Sequence, residues 1–378
     1  MDNFEVIRPY TPEEIPSAIA ELMGDEYFKK ALSYVTPDAD GMLQKFPAVK
    51  STDEFQRGIL FPVLKWLIGI VSESIQGSGF SNIEKDKGYT YISNHRDILT
   101  DALFLGYLLG SNGLKSPEMA LGDNLLVYPW MRTLVRLCKG IIVYRNLPLK
   151  RTLEEAGRLS GYINHTIQDN KNSVWIAQRE GRTKDSDDRT QESVLKMLSF
   201  CGGGDMRSNV ISLNIAPVSI SYEYDACDYL KAREFQIKRD DSEFKKSPKD
   251  DLDSMSVGLM SRKGKINFVI TEPINAKVEA LPETLTKAEF YTAVAKIIDE
   301  AIHSGYVLYP INYVAYDLLK GTDMFSQNYT QEEKENFSKY VDGQVAKIKD
   351  LPSPDNDFLR EKILEMYSNP LKNKLKLD

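Results

Sequence analysis

The chain is 378 residues long, 42% hydrophobic and 27% charged, with a formal net charge of −7. That length suffices for one large α/β domain with helical additions, or for two domains, and the acidic balance argues against a nucleic-acid partner. Three widely spaced cysteines (Cys138, Cys201, Cys227) form no C-x-x-C pair and suit a reducing compartment.

The N-terminus, Met-Asp-Asn-Phe-Glu-Val, is acidic and lacks an apolar h-region, so the expected address is cytoplasmic. Residues 1–87 read as a helical N-terminal region. Thr11-Pro12-Glu13-Glu14 is a helix start, with Thr11 as N-cap and Pro12 at the first helical position. Apolar residues follow at Ile15, Ile19, Leu22 and Met23. A second helix is expected over 55–75. Its most apolar part, 59–71, is about half the length of a membrane span and contains Pro62 and Lys65. It fits a buried amphipathic helix, or an interfacial one that holds the protein on a bilayer.

From Gly88 the pattern becomes strands alternating with helices. Strands are expected at 89–93, 140–144, 173–177, 216–221 and 266–271, each short and mostly β-branched or aromatic. Helical patterns lie near 98–110, 124–138, 151–169 and 190–200. Strands separated by helices need crossover connections, so residues 88–275 read as an α/β domain with a mixed, mostly parallel sheet. Within it, residues 231–265 mix both charge signs densely and read as a solvated insertion, helical in parts, rather than an anion-tracking surface. Residues 276–378 read as a helical C-terminal region, with helical spacing at 287–304, 311–319 and 332–349, and the last residues, from 372, read as frayed.

The stretch 89–110 carries the chemistry. A short strand delivers His95 to a turn, flanked by Asn94, Arg96, Asp97 and Asp101. A helix turns about 100° per residue, so neither Asp97 nor Asp101 would share a helical face with His95. The histidine must therefore sit in the turn ahead of the helix and fold back over its first turn. Asp97 suits the N-cap, and Asp101 falls where the helix dipole favours a carboxylate. A carboxylate on one imidazole nitrogen fixes the tautomer and leaves the other nitrogen as a base. A lone His-x-Asp is equally satisfied by a turn histidine beside a capping aspartate. A kinase-type catalytic loop is excluded, because Ala102 stands where it needs asparagine and no Asp-Phe-Gly follows. His165 and His303 lack metal-ligand spacing, so no metal is expected.

At these residues the chain resembles the glycerolipid acyltransferase superfamily, which includes glycerol-3-phosphate and 1-acylglycerol-3-phosphate acyltransferases. Ser93-Asn94-His95-Arg96 with Asp101-Ala-Leu-Phe-Leu is similar to the family's first block, a His and an Asp separated by four residues. Here five intervene, and Thr100 holds the usual acid position. Either Asp101 is shifted by one or Asp97 has taken over, and the apolar register after Asp101 favours the former. Three similar blocks follow in the family's order. Gly122-Asp-Asn-Leu-Leu runs through Pro129-Trp130 to Gly140-Ile-Ile-Val-Tyr-Arg145, and Trp175-Ile-Ala-Gln-Arg-Glu180-Gly181-Arg182-Thr-Lys184 is one residue shorter than the family's version. Ile215-Ala-Pro217-Val218 resembles its apolar-Pro-Val strand.

The resemblance implies an O-acyltransferase that moves a fatty acyl group from acyl-CoA or acyl-carrier protein to a hydroxyl of a glycerophosphate-type acceptor. It implies His95 as general base, oriented by Asp101 or Asp97, and a phosphate held by Arg145, Arg182 and Lys184 in a pocket shaped by Glu180 and Gly181. Pro217 and Val218 would line the acyl-donor side. No cofactor is required, since the thioester supplies the driving force. A lipid acceptor implies peripheral association with the inner face of a membrane. Two other readings fit the same residues: transfer to a non-phosphate lysolipid such as an acylated amino acid, and an inactive acyl-chain or carrier-protein binding module.

Overall fold

Seven short segments pair into one sheet in a computed structural model that describes residues 3–201 and 204–377. They are β1 (Ser72–Ser78), β2 (Thr90–Ser93), β3 (Glu118–Gly122), β4 (Gly140–Val143), β5 (Val174–Ala177), β6 (Ile215–Tyr222) and β7 (Gly264–Ile270). The order across the sheet is β1-β7-β6-β2-β5-β3-β4. From β6 to β4 every pairing is parallel; β7 runs antiparallel to β6, and β1 parallel to β7. The expected mixed, mostly parallel sheet flanked by helices is what the chain forms.

Residues of β2 and β6 are buried along their whole length, as befits central strands covered on both faces. One face packs Phe104, Leu105 and Leu109 of helix Thr100–Ser111 with Leu64 and Leu67 of helix Phe61–Val71. The other packs Ile163 and Ile167 of helix Leu149–Gln168 with Val294 and Ile298 of helix Lys287–Gly305. A further apolar cluster joins the C-terminal helices Pro310–Lys320, Gln331–Val345 and Asn356–Leu375.

Several local expectations are corrected. β1 lies inside the region expected to be wholly helical, so the sheet begins at Ser72 rather than near residue 88. Its sequence, Ser-Glu-Ser-Ile-Gln-Gly-Ser, is polar because it is an edge strand. The first long N-terminal helix starts at Ile15, and the Thr11 amide donates to Glu14 Oε2 at 2.7 Å instead of opening a helix at Pro12. The charged insertion is helical in parts, as expected, with helices Asp228–Asp240 and Pro248–Met260, but it is not simply solvated, since Lys231 and Glu234 are buried against opposite charges. Residues 372–375 are not frayed either, while Asp378 lies outside the described residues. The last helix runs to Leu375, and Lys374 Nζ donates to the Ser304 carbonyl at 3.0 Å.

Candidate active site

β2 ends at the middle of the sheet, between β5 and β6, and parallel sheets gather ligands at the carboxyl ends of their strands. The residue after next is His95. Asn94 fixes its height above the sheet. The Asn94 side-chain amide donates to the Ile220 carbonyl at 2.9 Å, and its Oδ1 accepts from the Ile220 N–H at 2.8 Å. Asn94 thus adds a side-chain rung to the β2–β6 ladder. Trp175 of β5 supports the histidine from the other side. Its Nε1 donates to Ser93 Oγ at 3.0 Å, and its ring meets the His95 ring edge-on with centroids 5.7 Å apart.

The histidine sits ahead of the helix, as its spacing from the two acids requires. Asp101, in the first turn of helix Thr100–Ser111, is fully buried. Its Oδ2 lies 2.8 Å from His95 Nδ1 and also accepts from the Arg96 N–H at 2.7 Å and the Asp97 N–H at 3.0 Å. With two backbone N–H groups donating to it, this oxygen meets the ring as an acceptor. The proton of a neutral His95 therefore belongs on Nδ1, leaving Nε2 as the basic nitrogen. Asp97 does different work. Its Oδ1 accepts from the Leu99 and Thr100 N–H groups at 3.0 and 2.8 Å, capping the helix start. Helix Pro248–Met260 packs so closely on Asp97 that a Cβ on Gly258 would collide with Oδ2. Thr100, at the family's acid position, instead meets the Tyr222 hydroxyl at 3.0 Å. Burial, then the charges of Asp101 and Asp97, hold that phenol well above its usual pKa.

The two acids separate in a paired experiment. Asp101→Asn, which no longer forces the Nδ1–H tautomer, is expected to lower kcat about 10²-fold or more. Asp97→Asn, which keeps the capping oxygen, is expected to retain most of kcat and most of the stability. Equal, small losses of kcat in both variants would end the pairing of His95 with Asp101.

His95 opens onto a cleft of about 830 Å³ at the ends of β3, β4 and β5. Arg145, Glu180, Gly181, Arg182 and Lys184 all line it, so the predicted histidine and anion-binding residues share one cavity. Arg145 is placed by its own N–H, which donates to Asp123 Oδ1 at 3.0 Å, and its Nη1 donates to Glu180 Oε1 at 3.3 Å. Gly181 has φ of 69°, a left-handed turn with no atom within 4 Å of where a Cβ would stand. Arg182 is 93% buried, and its Nη1 has no hydrogen-bond partner among the described residues. Burial opposes its charge, but Cys227, Asp97 and Asp225 outweigh that and raise its pKa. Lys184 lies 2.9 Å from Glu234. Burial, followed by the neighbouring Arg182, brings its ammonium down to about 7 despite Glu234.

Beneath the cleft, Arg96 and Asp188 tie the histidine turn to the Arg182 loop. Arg96 reaches both carboxylate oxygens of Asp188, at 3.2 and 2.7 Å. Asp188 Oδ1 also accepts from Thr183 Oγ1 at 2.8 Å, and Oδ2 accepts from the Tyr306 hydroxyl. His303 Nε2 donates to the Asp188 carbonyl at 2.8 Å. Burial works against the Arg96 charge, and Asp188, Tyr306 and Asp225 hold it on.

Two expected site residues are not brought to the cleft. Pro217 and Val218 are buried within β6, paired in register with Ile92 and Ser93, because β6 is covered on both faces. They support the strand that carries His95 and line no part of the cavity. Conversely, Trp175, Arg179, Glu234, Lys238 and Lys246 line the cleft without having been singled out. Trp175 and Arg179 stand inside the third motif block, which is the signal that could have found them. Glu234, Lys238 and Lys246 come from the charged insertion, where no local spacing distinguishes them. No group of three or more His, Cys, Asp or Glu side chains among the described residues is arranged to hold a metal ion.

Residues 74–221, from β1 to the end of β6, match the model of the Acyltransferase family. Over that segment the chain is similar to the Acyltransferase family. His95, Asp101, Arg145, Arg182 and Lys184 all fall within the acyltransferase match. Among solved structures the chain is similar to PlsC, the 1-acyl-sn-glycerophosphate (LPA) acyltransferase from Thermotoga maritima. The two are 13% identical, over 76% of this chain and 95% of that one, with a TM-score of 0.39. None of the curated proteins matches the sequence.

Proposed function

We propose that the acyltransferase domain transfers a fatty acyl group from the thioester of acyl-CoA or acyl-carrier protein to a hydroxyl of a glycerophosphate-type acceptor in phospholipid synthesis. The observation that carries this reading is the His95–Asp101 pair, 2.8 Å apart, opening onto a cleft lined by Arg145, Arg182 and Lys184. In this mechanism His95 Nε2 accepts the proton of the acceptor hydroxyl while Asp101 stabilises the resulting imidazolium. The new alkoxide attacks the thioester carbonyl, an ester bond forms and the C–S bond breaks. The departing thiolate takes the proton back from His95. Arg145, Arg182 and Lys184 hold the acceptor's phosphate, with Glu180 and Gly181 shaping that pocket. The residues need no cofactor for these steps.

A panel of acceptors with labelled acyl-CoA and acyl-carrier protein, read by product mass, tests the proposal. Glycerol 3-phosphate or 1-acylglycerol 3-phosphate should be acylated. A product only from a hydroxylated N-acyl amino acid would replace the phosphate acceptor. Thioester binding without turnover would make the domain a binding module.

The same reading includes peripheral attachment to the inner face of a membrane. No helix of the described residues is long and apolar enough to cross a bilayer. Helix Phe61–Val71 turns Leu64, Leu67 and Val71 into the core, which leaves little of it for an anchor. The exposed Val127, Tyr128, Leu149 and Leu153 follow the strand ends of β3 and β4 at the cleft, beside Lys150 and Arg151. That combination suits an anionic lipid surface. Co-sedimentation with phosphatidylglycerol vesicles is expected, and its loss in Leu149→Glu/Leu153→Glu. A parent protein that stays in the supernatant ends the membrane assignment.

A further inference from the structure

Three lysines on the cleft wall converge on one carboxylate. Glu234, in helix Asp228–Asp240, lies 2.9 Å from Lys184, 2.8 Å from Lys238 and 3.1 Å from Lys246. The three cations come from different places: the loop after β5, one helical turn beyond Glu234, and the turn before helix Pro248–Met260. That second helix also reaches across the cleft, where Asp251 Oδ2 accepts from Asn124 Nδ2 at 3.2 Å. The insertion is thus a wall of the cavity.

We propose that Glu234 is a positioning residue, gathering Lys184, Lys238 and Lys246 into one cationic wall and keeping Lys184 charged and aimed into the cleft for an anionic ligand. The assignment rests on reading the cleft as the acceptor site. Glu234 is itself firmly ionised. Burial would raise its pKa, but Lys184, Lys238 and Lys246 hold it down to about 2. The groups facing Lys184 are Arg182 on its own loop, Glu234 and Lys238 from the first insertion helix, and Lys246 from the turn. Asp251 lies 3.6 Å from Lys246, and Asp185 also borders the cleft. With the Glu234 charge removed, four cations face one another with little compensation. Lys184 is the most easily neutralised of them, and a neutral amine neither attracts an anion nor stays fixed beside Arg182.

The test reads Lys184 directly in the full chain. Amine-labelling rates are followed by peptide mass spectrometry across pH, with inorganic phosphate as the protecting probe. In the parent protein, half-maximal labelling of Lys184 is expected near pH 7, and phosphate should slow it. In Glu234→Gln the midpoint should fall by a unit or more, with phosphate protection weakened about tenfold, since each pKa unit is tenfold in the charged fraction. Glu234→Asp, which keeps the charge, should move both readouts back toward the parent. An unchanged midpoint in Glu234→Gln overturns the proposal, as does Glu234→Asp behaving like Glu234→Gln. Phosphate that fails to protect Lys184 in the parent overturns the anionic ligand. If labelling behaves as expected but no glycerophosphate is acylated, the acceptor reading fails while the role of Glu234 stands.

Discussion

Replacing His95 by alanine should lower acyl transfer by about 10²–10⁴-fold with the fold intact, the range expected when a general base is lost. The side chain is held by contacts that do not depend on it. Asn94 is fastened to Ile220, Trp175 to Ser93, and Asp101 keeps two backbone donors from Arg96 and Asp97 after the ring is gone. The loss should therefore appear in kcat, with the acceptor KM and the thermal midpoint close to those of the parent. Single-turnover rates with labelled acyl-CoA or acyl-carrier protein, beside a denaturation curve, provide the check. Parent-level transfer by a folded His95→Ala protein would remove His95 from the chemistry.

Asp188→Ala should destabilise the chain by roughly 3–5 kcal/mol, because it strands a buried guanidinium. Asp188 is the shared acceptor for Arg96, Thr183 and Tyr306, all of which are buried. Asp188→Asn keeps the size and one acceptor oxygen, so its cost should be smaller. Denaturant titration of the two variants and the parent, compared at equal slopes, gives the difference. A loss below about 1 kcal/mol in Asp188→Ala would mean that the Arg96 charge finds another partner. Activity should fall as well, since Arg96 adjoins His95 and Thr183 adjoins Arg182.

Much of this arrangement was legible in the chain before its structure. The His95 turn could be placed because helical geometry forbids His95 from sharing a face with either Asp97 or Asp101. β2, β4, β5, β6 and β7 were readable because short buried strands are rich in Val, Ile and aromatic residues. β1 and β3 were not. β1 is polar because its outer edge meets solvent. β3 contains Glu118, whose carboxyl is buried against the Tyr162 hydroxyl at 2.6 Å and Asn172 at 3.2 Å, an environment that burial shifts toward the neutral acid. Which acid orients His95 needed distances, since Asp97 and Asp101 differ in what each accepts rather than in type. Glu234 was invisible for another reason: it reaches Lys184 from 50 residues away through a mixed-charge segment whose pairing no local pattern reveals.

The placement of β1 bears on how the molecule can be divided. β1 is the outermost strand, and its partner in the sheet is β7, almost two hundred residues later. The segment 74–221 therefore contains one half of a pairing whose other half lies beyond it. A fragment trimmed to those limits would leave β1 with nothing to dock on and would bare the flank of β6 that normally meets β7. An open, apolar strand flank recruits other chains. Expression designs that keep Ser72 through Ile270 together retain a closed set of pairings, whereas a cut after β6 invites oligomers and inclusion bodies.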